Sequence, residues 1–289
     1  MRILVTGNAG FIGTHVWTYF LDRGYEVYGI DDLSRKVSKR VMHPNAIVDD
    51  VVNISKIEAL DIPFDWVIHL AAQVSVVVGE DDPVLDFKTN CQGTFEVVQW
   101  AKARGAGVIY ASTNKVFGEL ADVKSPILDS QPISPQTNYG VSKAAGSHYV
   151  RDYDRGWVLH QSCIYGSSQK GEEDQGWIGW VYNSIKSGRP IRCFGDGHQV
   201  RDLLHVKDLI NLYNQIIEGG IVPGSYVTGG GSSNAVSFEE VVKMLGGEIS
   251  EYLAWRPNDQ RYFVSANEQL LVQGWRPTIT VREGLGTLT

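Results

Sequence analysis

The chain begins with a strand-turn-helix pattern that few folds can accommodate. An apolar run, "RILVTG" (Arg2–Gly7), leads into glycines at positions 7, 10 and 13, and an amphipathic stretch follows that ends near Gly24. Gly7 permits a tight turn, Gly10 lets the backbone approach a phosphate, and Gly13 lets helix and strand pack closely. Because such a helix presents free N–H groups to the phosphate, the pattern predicts a nucleotide-binding turn rather than an incidental glycine-rich loop.

Strand and helix patterns then alternate along the first half of the chain, which predicts a doubly wound parallel sheet in an α/β fold. The strand-like runs are Glu26–Asp31, Ala46–Val51, Trp66–Ala72 and Gly107–Thr113, and the clearest helical stretch is Asp86–Arg104. After Gly156 the pattern loosens, with one more strand expected at Trp157–Ile164 and a helix at Gln175–Lys186. We expect a second, smaller domain over the carboxyl ends of the sheet, where ligands of such folds bind.

Composition limits the possible functions. The net charge of −7 supplies no basic surplus to neutralise a nucleic-acid backbone. The three cysteines, Cys91, Cys163 and Cys193, form no CxxC pair, so we expect neither a metal site nor a disulfide framework. "VSVVV" (Val74–Val78) is too short to span a membrane, and the apolar start is too short for a secretory signal. We therefore expect a cytoplasmic protein with no membrane or nucleic-acid partner.

Asp31, at the end of the second predicted strand, indicates which dinucleotide would bind. A carboxylate there accepts hydrogen bonds from both hydroxyls of an adenosine ribose and repels a 2′-phosphate, which favours NAD over NADP. Two alternatives stay open. Asp31 could be a solvated loop acid beside Asp32, and Arg35 could accommodate the phosphate of NADP.

Tyr139 and Lys143 of "YGVSK" are four residues apart, so they lie on one face of a helix. A free tyrosine has a pKa of about 10 and is a poor base at neutral pH. A lysine ammonium and an oxidised nicotinamide nearby would favour the phenolate and make it a usable base. Alone, such a pair usually marks a helix surface, but after a dinucleotide-binding turn it indicates catalysis.

Together these motifs resemble the extended short-chain dehydrogenase/reductase family. The resemblance also rests on "HLAAQ" (His69–Gln73), "NCQGT" (Asn90–Thr94) and "STNKVFG" (112–118), and it covers nearly the whole chain. It implies a Rossmann domain that holds NAD and a smaller C-terminal domain that holds a nucleotide sugar. The implied bounds are 1–165 for the first, with 191–218 returning to it, and 166–190 and 219–289 for the second. A homodimer built from helices near Asp86–Arg104 and Ser142–Tyr153 is also implied.

The family motifs carry site residues over to this chain. The catalytic set is Thr113, Tyr139 and Lys143. The residues placed at the cofactor are Gly7, Gly10, Phe11, Ile12, Gly13, Asp31, Asp32, Arg35, Asp50, Val51, Leu70, Ala71, Ala72, Gln73, Asn90, Ser112, Tyr139 and Lys143. The residues placed at the substrate are Asn114, Lys115, Cys163, Gln175, Trp177, Arg201, Arg256 and Asp259. Arg201 and Arg256 resemble the arginines that clamp a diphosphate, a task that suits the planar guanidinium fork.

Asn114 and Lys115 stand where the sugar 4,6-dehydratases of the family carry an Asp-Glu pair. That pair eliminates water by giving and taking protons. An amide does not exchange protons at neutral pH and a lysine has no carboxylate, so elimination lacks its acid and base here. The alternative, that both residues only shape the loop, stays open.

A narrower resemblance points to one group of epimerases. "DDLSRK" (31–36), "AAQVS" (71–75), "STNKV", "EDQGWIGW" (173–180) and "GDGHQVRDLLH" (195–205) are together similar to the CDP-paratose 2-epimerases. The resemblance implies an NAD-dependent nucleotide-sugar epimerase that inverts C2. A UDP-sugar 4-epimerase, a dehydratase with acid and base elsewhere, and a non-catalytic NAD-binding protein are the other hypotheses.

Because Asp31 is expected to face the ribose, we predict that NAD binds far more tightly than NADP and copurifies with the protein. The nucleotide released on denaturation would be identified by mass spectrometry. Recovery of NADP alone would contradict the assignment of Asp31.

Overall fold

The computed structural model describes residues 1–35, 43–173 and 175–289. Lys36 and Asp174, which belong to two of the quoted motifs, lie outside the described residues. The chain divides into two compact units. The first is Met1–Ser112, Asn138–Leu159 and Tyr213–Ser225, and the second is Thr113–Thr137, His160–Leu212 and Tyr226–Thr289. The chain therefore returns to the first unit at Tyr213, whereas the sequence predicted a return at residue 191. The assignment of NAD to one unit and of a nucleotide sugar to the other stays a prediction.

The first unit is built on a seven-stranded sheet, three of whose strands continue into segments of the second unit. Its strands are β1 (Arg2–Thr6), β2 (Glu26–Asp31), β3 (Ala46–Val48), β4 (Trp66–His69), β5 (Gly107–Thr113), β6 (Gly156–Gln161) and β10 (Gly224–Thr228). Its helices are α1 (Phe11–Asp22), α2 (Ser55–Glu58), α3 (Val76–Asp81), α4 (Pro83–Asp86), α5 (Gly93–Arg104) and α6 (Asn138–Arg151), with a π-helix at Phe87–Gln92. The helix α8 (Val206–Ile217) begins in the second unit and ends in the first.

The sheet has the strand order β10-β6-β5-β4-β1-β2-β3, and the pairs β1–β2, β1–β4, β2–β3 and β4–β5 are parallel. The chain adds β2 and β3 on one side of β1 and then crosses to place β4 on the other. The carboxyl ends of β1 and β4 therefore meet at the topological switch point, where open α/β sheets bind ligands. The predicted doubly wound Rossmann-type α/β fold is confirmed.

Apolar side chains on both faces of the sheet explain why the strands are nearly continuous hydrophobic runs. One face packs Val67 and Val108 against Val98 and Ala101 of α5. The helix α1 buries Val16, Trp17 and Phe20. Such a core holds the polar residues at the strand ends in fixed positions.

The second unit contains a four-stranded sheet and a two-stranded one. The first sheet comprises β7 (Cys163–Tyr165), β9 (Val200–His205), β11 (Ala235–Ser237) and β13 (Tyr262–Phe263), and the second comprises β8 (Arg192–Phe194) and β12 (Glu251–Leu253). The helices are α7 (Trp177–Lys186), α9 (Phe238–Met244), α10 (Glu268–Val272) and α11 (Val281–Leu285), with short 3₁₀ turns at Asn114–Phe117 and Ser232–Asn234. Tyr165, Ile178, Leu203 and Val241 belong to its core.

Two predicted elements differ in kind from the observed ones, and the strands predicted at Ala46–Val51 and Trp66–Ala72 end earlier, at Val48 and His69. The single strand expected at Trp157–Ile164 is broken at Ser162, and β6 and β7 belong to different sheets. At the break, the Ser162 hydroxyl donates a hydrogen bond to the buried carboxylate of Asp202, at 2.5 Å. The helix expected from Asp86 is α-helical only from Gly93, because the π-helix precedes it. Among the described residues, no helix is long and apolar enough to cross a membrane.

Candidate active site

The glycine turn after β1 contacts the segment that follows β4. Gly7 has φ +69°, and a Cβ built on it would lie 2.8 Å from the Ala71 nitrogen. A Cβ on Gly13 would overlap the Gly7 carbonyl oxygen. Both positions therefore require glycine, because backbone atoms of neighbouring segments lie where a Cβ would be. A Cβ on Gly10 would meet only that carbonyl oxygen among the described residues, at 3.3 Å, which leaves the backbone there accessible.

The start of α1 has the features of an anion site. Gly10 is its N-cap and supplies no side-chain hydrogen bond to the first turn. The first N–H groups of the helix, which include those of Phe11 and Ile12, have no acceptor within the helix. Together with the accessible backbone at Gly10, these donors fit the pyrophosphate of a dinucleotide.

Asp31 lies at the carboxyl end of β2 beside the glycine turn. One carboxylate oxygen accepts a hydrogen bond from the Ala9 N–H at 3.0 Å, and the other accepts from the Leu33 N–H at 2.9 Å. Burial raises the pKa of Asp31, whereas these two backbone donors lower it. Asp32 is exposed and accepts hydrogen bonds within its own loop, from Ser34. Asp31 is thus the better placed of the two acids to meet a ribose.

The segment after β4 is held by the side chain of Thr6. Its hydroxyl oxygen accepts hydrogen bonds from the N–H groups of Leu70 and Ala71, at 3.1 and 3.0 Å. The same hydroxyl lies 2.7 Å from His69 Nδ1, and His69 Nε2 lies 3.0 Å from the Thr94 hydroxyl. Thr94 donates to the Asn90 carbonyl, so it accepts from His69, and the imidazole carries its proton on Nε2.

His69 is neutral, because burial and the charge of Lys143 lower its pKa to about 3. It therefore acts as a fixed link between β1, β4 and α5 and is not a proton carrier at neutral pH. Sequence reasoning assigned residues 70–73 of this segment to the cofactor but gave no role to the imidazole of His69.

The remaining predicted cofactor residues divide between core and surface. Val51 is buried in the core, whereas Asp50 is exposed and accepts from the Val52 N–H. Ala72 is half-buried at the end of the β4 segment, and Arg35 is half-buried in the loop after β2. None of these positions has a contact that assigns it to a ligand, so their roles stay predictions.

Tyr139 and Lys143 lie on α6, one turn apart, and both are buried in the first unit. Lys143 is 2% exposed, and its ammonium lies 4.2 Å from the centre of the Tyr110 ring. Burial lowers the pKa of Lys143 to about 7, and the negative charge of Asp86 acts in the opposite direction. Ser112 at the end of β5 hydrogen-bonds Ser147 of α6, at 2.8 Å between the hydroxyls, which fixes the helix on the sheet.

Thr113, the next residue along β5, belongs to the second unit. Its hydroxyl accepts from the Lys115 N–H and donates to the Asn114 side chain, both at 3.3 Å, and so starts the 3₁₀ turn. Gln260 donates to the carbonyl oxygens of Asn114 and Gly118, at 3.0 and 2.7 Å. Sequence reasoning missed Gln260, although it directly follows the quoted Asp259.

Asp259 joins two of the predicted substrate residues. Its Oδ1 lies 3.0 Å from Lys115 Nζ and 3.2 Å from Arg201 Nη2. Burial alone would raise the pKa of Asp259, but the charges of Lys115 and Arg201 outweigh it, and the pKa lies below its usual value. Both cations therefore share one carboxylate within the second unit, so one positive charge of the group remains unbalanced.

The remaining predicted substrate residues are Arg256, Trp177, Cys163 and Gln175, and each makes contacts of its own. The Arg256 guanidinium lies 3.8 Å from the centre of the Phe194 ring. Trp177 Nε1 donates to the Cys163 sulfur at 3.5 Å, and the ring packs against Phe238. The packing of Trp177 against Phe238 is sufficient to explain why the indole ring is partly buried, so its burial does not indicate a ligand. Gln175, just before α7, exchanges backbone hydrogen bonds with Glu172.

Comparisons with known proteins agree with this architecture. The model of the family described as NAD dependent epimerase/dehydratase matches residues 3–229. The chain is 29% identical to CDP-paratose 2-epimerase of Salmonella typhi, over 99% of this chain and 97% of that one. The structure of Thermus thermophilus UDP-glucose 4-epimerase with NAD is similar at a TM-score of 0.88 and 29% identity, over 99% and 97% of the two chains. That of Thermotoga maritima UDP-glucose 4-epimerase with UDP-glucose is similar at 0.89 and 27%, over 99% and 96%.

We predict that Asp259→Asn lowers the free energy of unfolding at pH 7 by roughly 1–3 kcal/mol, because two partly buried cations lose their counter-charge. The pKa of Asp259 is depressed in the folded protein, so its contribution is present above the pKa of the unfolded chain, about 4, and is lost as the pH falls through the folded value. The difference between variant and wild type should therefore shrink below about pH 4. Urea unfolding at several pH values measures it, and the exposed Asp122→Asn in the same unit is the control. A difference that is independent of pH would show that the charge is not the cause.

Proposed function

The chain belongs to the NAD dependent epimerase/dehydratase family, and we propose that it is a nucleotide-sugar epimerase that transiently oxidises one sugar carbon and reduces it on the opposite face. The predicted membership of the extended short-chain dehydrogenase/reductase family and the predicted cofactor, NAD, are confirmed. The sugar, the base and the inverted carbon belong to the proposal. A CDP-sugar inverted at C2 is the substrate and reaction we favour.

The observation that carries the proposal is the chemistry of the turn after β5. The hydroxyl of Thr113 is followed by an amide, Asn114, and by an ammonium, Lys115, that is paired with Asp259. The Asp259 carboxylate is a weak base, because the two cations beside it hold its pKa low. This arrangement suits the binding of a sugar hydroxyl and does not suit the proton transfers of water elimination.

Tyr139 and Lys143 supply the acid-base part of the proposed reaction. The phenolate of Tyr139 takes a proton from the sugar hydroxyl that is oxidised and returns it when the carbon is reduced. The Lys143 ammonium favours the phenolate, and Thr113 is assigned a hydrogen bond to the same sugar oxygen. NAD, when bound, supplies the acceptor and the donor for the hydride. Because the hydride returns to the sugar, no external oxidant is consumed.

A UDP-sugar 4-epimerase is the second candidate, because the same residues act at C4 if the sugar binds in another register. The similarity to two UDP-glucose 4-epimerase structures supports it. A dehydratase with acid and base elsewhere is the third.

One experiment separates these candidates. Purified protein is incubated with CDP-, UDP-, GDP- and dTDP-sugars, and the products are identified by mass and NMR. An epimerase gives a product of unchanged mass with one inverted carbon, which the NMR spectrum locates. A product lighter by one water would overturn the proposal in favour of a dehydratase.

For Tyr139→Phe we predict unchanged NAD and substrate binding with turnover reduced by a factor of about 10²–10⁴, the usual contribution of a positioned general base. Tyr149→Phe is the matched control, since Tyr149 is an exposed tyrosine of the same helix. Calorimetry measures binding and NMR measures turnover. Turnover of the Phe variant close to that of the wild type would remove Tyr139 from the mechanism.

We further propose that the protein is a homodimer joined through the outer surface of α5 and α6. Phe95 of α5 and Tyr149 of α6 are exposed, and their rings pair at 5.1 Å. Val141 on α6 is 53% exposed and Phe87 is 56% exposed. Large apolar side chains that remain exposed together on neighbouring helices are typical of an interface.

We predict that Phe95→Glu converts the dimer to a monomer, because each copy would place a charge in the apolar interface. Multi-angle light scattering at micromolar concentration measures the mass. Val272→Glu, at an 83% exposed position of α10, should leave the dimer intact. A wild-type protein that is monomeric under these conditions would contradict the proposal.

A further inference from the structure

Asp86 is a buried carboxylate that neither the family motifs nor the proposed reaction explain. It is 1% exposed and lies where α4 passes into the π-helix Phe87–Gln92. Its Oδ1 accepts hydrogen bonds from Gln73 Nε2 at 2.6 Å and from Asn90 Nδ2 at 3.3 Å. π-helical turns are rare and occur frequently at functional sites.

The second oxygen of Asp86 is not satisfied by hydrogen bonds. Oδ2 is buried and has no hydrogen-bond partner within the part of the chain that the structure describes. It packs against Gly79, where a Cβ would overlap it, so α3 makes room for the carboxylate with a glycine. A buried carboxylate with one unsatisfied oxygen is stabilised by a positive charge nearby, because an isolated buried charge is costly.

The same cluster reaches the helix that carries Tyr139 and Lys143. Asn90 Nδ2 also donates to the hydroxyl of Ser142, at 3.1 Å, and to the Gln73 carbonyl, at 3.0 Å. Ser142 in turn donates to the Tyr139 carbonyl at 3.0 Å. Asp86 is therefore linked through Asn90 to the turn of α6 that lies between the tyrosine and the lysine.

The charges around this cluster are complementary. Burial raises the pKa of Asp86, and the negative charges of Glu80 and Asp82 add to that effect, whereas the Gln73 hydrogen bond and Lys143 lower it. On the other side, Lys143 faces the neutral His69 and the ring of Tyr110, whose own pKa burial raises. Asp86 is the group whose charge raises the pKa of Lys143 against the effect of burial.

We propose that Asp86 is a positioning residue, the buried counter-charge of Lys143, which Gln73 and Asn90 hold in place and which favours the protonated form of the lysine during turnover. The catalytic consequence rests on the proposed function. The electrostatic pairing itself does not, and it is measured separately.

The test is Asp86→Asn, which keeps the shape of the side chain and removes the charge. Lysine labelled with ¹³C at Cε reports the titration of Lys143 by NMR, and a Lys143→Arg variant assigns its resonance. The midpoint should move to lower pH by about one unit in Asp86→Asn, as expected when an opposite charge is lost. Asp86→Glu should stay near the wild-type midpoint, because it keeps the charge.

Asp81→Asn is the matched control, an exposed acid on neighbouring α3 that should leave the titration unchanged. If Asp86→Asn yields no folded protein, Asp86→Ser takes its place. An unchanged Lys143 midpoint in the folded variant would overturn the proposal.

Activity gives an independent readout once a substrate is known. The lysine would lose its proton at lower pH in Asp86→Asn, so the alkaline side of the pH–rate profile should move to lower pH. With less positive charge near the phenol, the acid side should move to higher pH. Turnover lowered equally at every pH, with an unchanged midpoint, would mean that Asp86 is only structural. If no epimerase activity is found, the NMR titration still decides the pairing.

Discussion

The first unit depends on the contact between the turn after β1 and the segment after β4. The Thr6 hydroxyl accepts two consecutive backbone N–H groups and orients His69, and Gly7 has no Cβ where the Ala71 backbone passes. Without this acceptor, the Ala71 N–H would lose its partner, at a cost of about 1–3 kcal/mol, whereas the Leu70 N–H also donates to the Thr6 carbonyl oxygen. The contact lies at the switch point of the sheet, so the geometry of the cofactor turn is a direct consequence of the strand order.

Buried charge is the second constraint on the structure, and each unit stabilises its buried charged groups in a different way. In the first unit, Lys143 is nearly inaccessible and faces an aromatic ring, and burial lowers its pKa to about 7 against the opposing charge of Asp86. A lysine in this range changes protonation near neutral pH, so the proposed catalytic helix is sensitive to any charge placed beside it. In the second unit, one oxygen of Asp259 contacts both Lys115 and Arg201, and the carboxylate is correspondingly acidic. A substrate that binds Lys115 and Arg201 would compete with the Asp259 carboxylate, which already contacts both.

Local sequence pattern was sufficient for most of the first unit. The strands Glu26–Asp31 and Gly107–Thr113 begin and end where the pattern predicted, because glycines, charged residues and apolar runs mark those boundaries locally. The break at Ser162 was not predictable in this way. An uninterrupted run from Trp157 satisfies strand periodicity, whereas the contact of Ser162 with the buried Asp202 depends on a residue distant in sequence. The π-helix before Gly93 was likewise missed, because its residues have an ordinary helical pattern.

By itself, the sequence determined the fold class, the glycine turn, the NAD family and the spacing of Tyr139 and Lys143 on one helix face. These features depend on residue type and on short distances along the chain. The tertiary structure decided which polar groups meet: Asp259 with the cations Lys115 and Arg201, and Asp86 with the amides of Gln73 and Asn90. The physical reason is that an electrostatic interaction depends on distance and burial in the folded chain, and neither is encoded in the local order of residues.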